Sequence, residues 1–378
     1  MFLRGCIFVA LIVSLPWLGA ILAGRDRLQL FAFPPPLAVP VDYLRVSVWA
    51  VTAVLAAIIL IVGSWLRRAR SGAPPVVFVN PRGRRRVPLW IFPALVWVAL
   101  WWLIAWHPMP GMEWARRHSF FPLWLGFIVA VNGLIEARSG SCSMRRSPGQ
   151  WLSLFAASAG FWWGFEWLNR FARNWHYLGA ENFSAASYAI HATLCFSTVL
   201  PAVAAVAELV GTSERWNAAM KCRPAWPWLN SIRARRLLFA GGVLTLLGTG
   251  ARPDTFYPGL WLAPLALYLG GNMHGRRTGF GEEIARGDWR RAGTWMLAAL
   301  VCGGFWEMWN FHSYPKWIYT VPGVDCWHVF EMPLLGYVGY LPFGLECLAA
   351  VEWIGVGNDD FRQGRRPDKF VSGGSIRP

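Results

Sequence analysis

The stretch Gly304–Gly323, GFWEMWNFHSYPKWIYTVPG, places a glutamate inside an aromatic run at the end of an apolar segment. It has a counterpart in Gly160–Gly179, GFWWGFEWLNRFARNWHYLG. Glu166-Trp167-Leu168-Asn169 returns as Glu307-Met308-Trp309-Asn310 after 141 residues, and Leu200-Pro201 returns as Leu341-Pro342 at the same offset. Between them Trp175-His176-Tyr177 matches Trp317-Ile318-Tyr319 with one residue of slippage. Upstream, FFPLWLGFIVAVN, ending at Asn132, is similar to YPGLWLAPLALYLGGN, ending at Asn272. Several matches in one order predict an internal duplication.

The surroundings of both motifs are those of a membrane protein. Of 378 residues, 55% are hydrophobic and 15% charged, and the mean hydropathy is +0.35. Apolar runs reach the length that a hydrocarbon layer of ~30 Å requires. They predict ten spans, at 5–23, 46–66, 87–106, 119–135, 151–169, 187–207, 237–251, 257–273, 292–312 and 328–351, the short Gly-rich run at 237–251 being the weakest. Backbone polar groups in lipid must be satisfied within the segment, so each span should be a helix. Residues 1–23 read either as a retained first helix or as a signal peptide, and the 19-residue apolar run favours the helix. The Pro-rich FAFPPPLAVPVDY that follows should be non-helical.

A net charge of +16 raises nucleic acid as a partner, but the cations lie in alternate connections. The N-terminus, the loops 67–86, 136–150, 208–236 and 274–291, and the tail from 352 hold 27 of the 36 Lys and Arg residues. That alternation is the positive-inside pattern, which removes the nucleic-acid reading and puts both termini in the cytoplasm of a multi-pass inner (plasma) membrane protein. Seven cysteines form no CxxC pair, so neither a disulfide framework nor a zinc motif follows.

The expected fold is therefore all-α, a polytopic bundle of about ten helices. Two N-terminal helices (1–86) precede two parallel four-helix repeats (87–210 and 236–352) and a cytoplasmic tail (353–378). Four helices per repeat is an even number, so both copies run in the same orientation. Glu166, Asn169, Glu307 and Asn310 then lie together near the non-cytoplasmic ends of spans five and nine, with the Trp-x-Tyr pairs just beyond.

Glutamate and asparagine three apart share a helical face. One reading is a polar site, because ionisable groups inside membranes usually face a cavity or a bundle interior. The other is that each Glu-Asn pair caps and cross-links the loop that follows. Six of the seven histidines, among them His191, fall on the non-cytoplasmic side, but no Glu-x-x-His or HExxH pattern occurs and no metal site is expected. Of 26 tryptophans, Trp65, Trp106, Trp114 and Trp353 suit interfacial belts. Trp162, Trp163, Trp167, Trp306 and Trp309 cluster around the repeated glutamates. Such a lining suits a flat or polyene ligand, and it stabilises a cation by ~0.5–2 kcal/mol per ring face. Glu331 and Glu346, fifteen residues apart on one predicted helix, should be ~22 Å apart, too far for one small site, with Pro333 and Pro342 bending the helix between them.

The order Trp306-Glu307, Trp317-Ile318-Tyr319, Phe330-Glu331-Met332-Pro333 resembles the repeated membrane domain of lycopene cyclase-type carotenoid-biosynthesis proteins, with a partial echo at Phe165-Glu166 and Trp175-His176-Tyr177. The resemblance covers mainly residues 292–352. That family's polar helix opens Pro-x-Glu-Glu, whereas here a single glutamate stands before the proline. The resemblance implies an enzyme that protonates an isoprenoid double bond in a dry site. Glu307 or Glu331, with Glu166 as the repeat's counterpart, would be the acid, and Trp306, Trp309 and Trp317 would shield the cation. Asn169, Asn310, Trp175, Tyr177, Tyr319 and His191 complete the expected binding set. The rival reading is a non-catalytic lipid- or pigment-binding scaffold; a transporter would need a polar path that the spans lack. Membrane lipids and an isoprenoid or carotenoid ligand are the expected partners, and the sequence specifies neither a cofactor nor an oligomeric state.

Overall fold

A computed structural model describes residues 2–26, 30–35, 48–70, 87–271 and 279–355. Most of the Arg-rich loop 67–86, most of the tail, part of the Pro-rich stretch, Asn272 and His274 lie outside the described residues.

The chain is all-α apart from two small ribbons. The long helices are α1 (Phe2–Leu22), α2 (Val48–Arg70), α3 (Ile91–Trp106), α4 (Phe120–Ser139), α5 (Pro148–Ala172), α6 (Ala185–Phe196), α7 (Val199–Gly211), α8 (Ile232–Ala251), α9 (Gly259–Gly271), α10 (Arg290–Phe311) and α11 (Tyr340–Ile354). Each of the ten candidate spans contains helix. Among the described residues four helical segments are long and apolar enough to cross a membrane: Gly5–Leu22, Phe120–Ser139, Ala185–Gly211 and Leu334–Ile354. Three shorter apolar helices are Val51–Leu60, Ile91–Trp106 and Gly259–Gly271. The Gly-rich run at 237–251 belongs to a 20-residue helix.

Helix starts repeat along the chain. Ile91, Phe120, Pro148 and Val199 open α3, α4, α5 and α7, and Ile232, Gly259, Arg290 and Tyr340 open α8, α9, α10 and α11. The α3–α4 pair packs as α8–α9 does, and α7 crosses onto α10. The N-terminal helix docks on α8 with almost no space between backbones. A Cβ at Gly19 would lie 2.0 Å from the Leu247 carbonyl oxygen, and one at Gly250 1.9 Å from that of Pro16, so any side chain there would drive the helices apart.

One expectation is corrected. The segment 185–211 is long enough to span, with a turn at Ser197–Thr198 between α6 and α7, but 328–351 is not one helix. His328–Val329 (β3) pairs with Met332–Pro333 (β4), a 3-10 turn fills Leu334–Gly339, and α11 starts only at Tyr340. Trp327 and Phe330 take positive φ values of 52° and 58°, which no α-helix accommodates. Neither proline expected to bend this helix does so: Pro333 lies in β4, and Pro342, like Pro201 in α7, sits in the first turn of its helix, where a backbone N–H would have no intrahelical partner anyway. Glu331 thus lies in a hairpin turn, and the helical spacing expected between it and Glu346 does not apply.

Candidate functional site

The two Trp-x-Tyr segments, expected as loops, are strands. Trp175–Leu178 (β1) pairs antiparallel with Lys316–Tyr319 (β2), so that Trp175 faces Tyr319 and Tyr177 faces Trp317. The asparagines build these strands. Asn169 Nδ2 donates to the Trp175 carbonyl (2.8 Å), while its Oδ1 accepts the N–H of Asn174 (2.8 Å) and Trp175 (3.3 Å). Asn310 repeats the arrangement, donating to the Trp317 carbonyl (2.7 Å) and accepting the Trp317 N–H (2.9 Å). Asn169 and Asn310 thus bond backbone and do not line the cavity that Trp175 and Trp317 help to form. Their amides are spent on backbone that would otherwise be unpaired, worth roughly 1 kcal/mol per bond.

The glutamates are buried behind the strands, Glu166 at 5% and Glu307 at 0% exposure. Glu166 Oε1 accepts from Trp162 Nε1 (3.1 Å), Trp175 Nε1 (3.0 Å) and the Tyr177 hydroxyl (2.6 Å). Glu307 Oε1 accepts from the hydroxyls of Tyr319 (2.6 Å) and Tyr340 (2.7 Å), and Trp317 Nε1 donates to the Tyr319 oxygen (2.8 Å). Glu307 Oε2 is buried with no hydrogen-bond partner among the described residues. Desolvation first, then the carboxyl group beside each, pushes the Tyr177 and Tyr319 phenols well up. Both stay protonated and donate.

In front of these donors is a cavity of about 160 Å³. Strand residues Trp175, Tyr177, Trp317 and Tyr319 form one wall. Trp162, Trp261, Trp306, Tyr340 and Phe343 come from α5, α9, α10 and α11, and α6 adds Tyr188, His191 and Phe196. Phe343 is 1% exposed and packs edge-on against Trp162, Phe165 and Trp261 at 5.7–5.8 Å, so the wall is rigid. The His191 ring stacks on Phe183 at 5.2 Å and meets the His118 ring at 4.9 Å.

The expected residues thus separate. Trp175, Tyr177, Trp306, Trp317, Tyr319 and His191 line one cavity. Glu166 and Glu307 do not line it but hold the side chains that do. Trp309 packs away from it, against Trp102, Trp124 and Phe127. Trp163 and Trp167 donate to Thr193 Oγ1 and to the Val13 carbonyl. Glu331, expected as an acid alongside Glu307, pairs with the Lys316 ammonium and does not line the cavity. Among the described residues no group of three His, Cys, Asp or Glu side chains converges as a metal site would. Sequence reasoning missed Tyr340, Phe343, Trp261, Tyr188 and Lys316. The Leu335–Pro342 run, LGYVGYLP, offered two tyrosines beside the repeated Leu-Pro, and this was the signal for Tyr340. Comparison with protein-family models, curated proteins and solved structures finds no match for this chain.

Proposed function

We propose that this is a multi-pass membrane protein that takes the unsaturated end of an isoprenoid-type lipid into the aromatic cavity. The observation that carries the reading is the wall itself: Trp and Tyr side chains from both halves of the chain, with Trp162, Trp175 and Tyr177 held by Glu166 and Tyr319 and Tyr340 by Glu307, facing about 160 Å³ of largely apolar space. An enclosed space of roughly 150 Å³ holds a six-carbon ring. The cavity therefore suits an end group or end ring, with the rest of the chain left outside it in the lipid. Flat unsaturated carbon meets aromatic faces without any polar group losing a partner.

The architecture that goes with this reading is ten spans in two parallel repeats, with both termini in the cytoplasm of the plasma membrane and the cavity at the opposite side. The distribution of Lys and Arg supports it, as do the recurring helix starts.

Acid chemistry on the bound end group, in the manner of the lycopene cyclase-type proteins, is favoured by one observation. Glu307 Oε2 is buried without a partner, and the Tyr319 and Tyr340 hydroxyls stand between this carboxyl and the cavity. The Tyr340 hydroxyl, which donates to Glu307 Oε1, would turn its hydrogen to the double bond and take up a proton carried by Glu307 in its place. The resulting carbocation would face Trp306 and Trp317 and lose a neighbouring proton to restore the acid. A pigment- or lipid-binding scaffold would use the same cavity without that step.

Mass spectrometry of lipid extracts from gently purified wild-type, Glu307→Gln and Tyr340→Phe protein tests both. A co-purifying isoprenoid is expected in all three, and accumulation of its unconverted form in the variants supports catalysis. Identical isoprenoid profiles in all three would leave a binding protein, and bulk phospholipid alone would sink the proposal.

A further inference from the structure

The cavity wall contains one ammonium group, and nothing in a purely hydrocarbon ligand would call for it. Lys316 lines the cavity yet keeps 24% of its side chain exposed, which places it where the cavity opens. Its present partners are the Glu331 carboxylate and the Phe311 carbonyl. Around the same rim, the Arg117 guanidinium lies 5.9 Å from the centre of the Phe183 ring, itself a lining residue. No carboxylate is recorded against Arg117 among the described residues. The segments that carry Phe183 and Lys316 are tied together: Asn182 Nδ2 donates to the Tyr314 hydroxyl (3.3 Å), two residues from Lys316, and Arg116 covers the Tyr314 ring. The acids on this rim are Glu331, already paired, and the exposed Glu181.

Resting on the isoprenoid reading above, we infer that the ligand is an amphiphile with a phosphate head, held at the rim by Lys316 and Arg117 while its unsaturated tail lies among the tryptophans. Arginine presents a fork of donors that matches phosphate oxygens, and lysine supplies a point charge. A phosphate head carries more charge than a carboxylate and competes with Glu331 for Lys316. In the empty site the Glu331 pair keeps that ammonium from standing uncompensated beside apolar walls.

The test is a titration of the full chain in phosphatidylcholine nanodiscs at low ionic strength, followed by quenching of tryptophan fluorescence. The probes are geranylgeranyl phosphate, geranylgeraniol and dioleoyl phosphatidate. The prenyl phosphate is expected to bind at least about tenfold tighter than the alcohol, because charge-assisted hydrogen bonds are roughly twice as strong as neutral ones. Lys316→Met and Arg117→Met should each erode that ratio. Glu331→Gln should raise affinity for the phosphate by freeing Lys316, a gain that loss of structure cannot imitate. Equal binding of phosphate and alcohol would overturn the head-group inference and leave the cavity reading standing. Phosphatidate binding as tightly as the prenyl phosphate would overturn it in favour of ordinary phospholipid. Failure of both prenyl probes would overturn this inference together with the proposed function.

Discussion

Glu166 and Glu307 stand 141 residues apart at matching places, yet they draw their hydrogen-bond donors from different directions. All three donors to Glu166 come from residues 162 to 177, so the first nest closes on itself. Glu307 takes one donor from its own strand, Tyr319, and the other from α11, Tyr340. The reason lies one turn before each acid. Trp162 reaches forward to Glu166, whereas position 303 is glycine, and the Tyr340 ring lies across it: a Cβ there would come within 2.4 Å of that ring. The tie between helices is reversed as well. In the first half the Ser158 hydroxyl donates to the Phe196 carbonyl (2.6 Å) and accepts the Leu200 N–H (2.9 Å), bridging the break between α6 and α7. In the second half Ala299 occupies that place, and the Glu307–Tyr340 bond links α10 to α11. The two matching places share the acceptor and differ in the source of its donors.

The contrast can be broken at Trp162. Trp162→Ala removes a donor and a large side chain from the closed nest, and it should cost ~3–5 kcal/mol in chemical unfolding. A loss below about 1 kcal/mol would mean that Trp175 and Tyr177 alone hold Glu166.

The next effect sharpens it. Gly303→Ala should cost ~1–3 kcal/mol by pushing Tyr340 off Glu307. Gly304→Ala, whose Cβ meets nothing within 4 Å, should be neutral or gain up to about 1 kcal/mol from helix propensity. Equal melting temperatures for the two variants would show that Tyr340 does not depend on the glycine.

The smallest effect concerns the ribbon that joins the nests. Thr320 Oγ1 donates to the Arg173 carbonyl (2.9 Å), so His176 Nε2 must be the donor in its 2.6 Å bond to Thr320 Oγ1. Burial, then the nearby Arg173, lowers the His176 pKa below 6.5. The folded state binds this proton more weakly than the unfolded chain does. The stability is therefore complete above about pH 6.5 and is lost as pH falls below it. A plot of melting temperature against pH should drop on the acid side in the wild type, and His176→Gln should remove that part of the drop.

The sequence made the helices legible because hydropathy over about 20 residues is a strong signal, and repetition isolated Glu166, Glu307 and the Trp-x-Tyr pairs. The strands were not legible: four residues carry too little alternation, and their pairing is made by Asn169 and Asn310, whose bonds to backbone leave no compositional mark. Tyr340 was hidden because its counterpart in the first copy is Val199, so the repeat that revealed the acid could not reveal this donor. The hairpin at 328–333 looked like helix because it runs directly into the apolar Leu334–Ile354 segment, and the positive φ at Trp327 and Phe330 leaves no mark in hydropathy.

The register of β1 and β2 has a consequence of its own. Trp175 opposite Tyr319 and Tyr177 opposite Trp317 is the reciprocity of an isologous contact, in which one patch meets its own copy across a two-fold axis. Within this ribbon the chain meets itself as two copies of one patch would. Neither half can complete this ribbon alone, because each supplies the edge that the other closes. Because both edges belong to one polypeptide they need not be identical, and Lys316 stands opposite Leu178 in the same register.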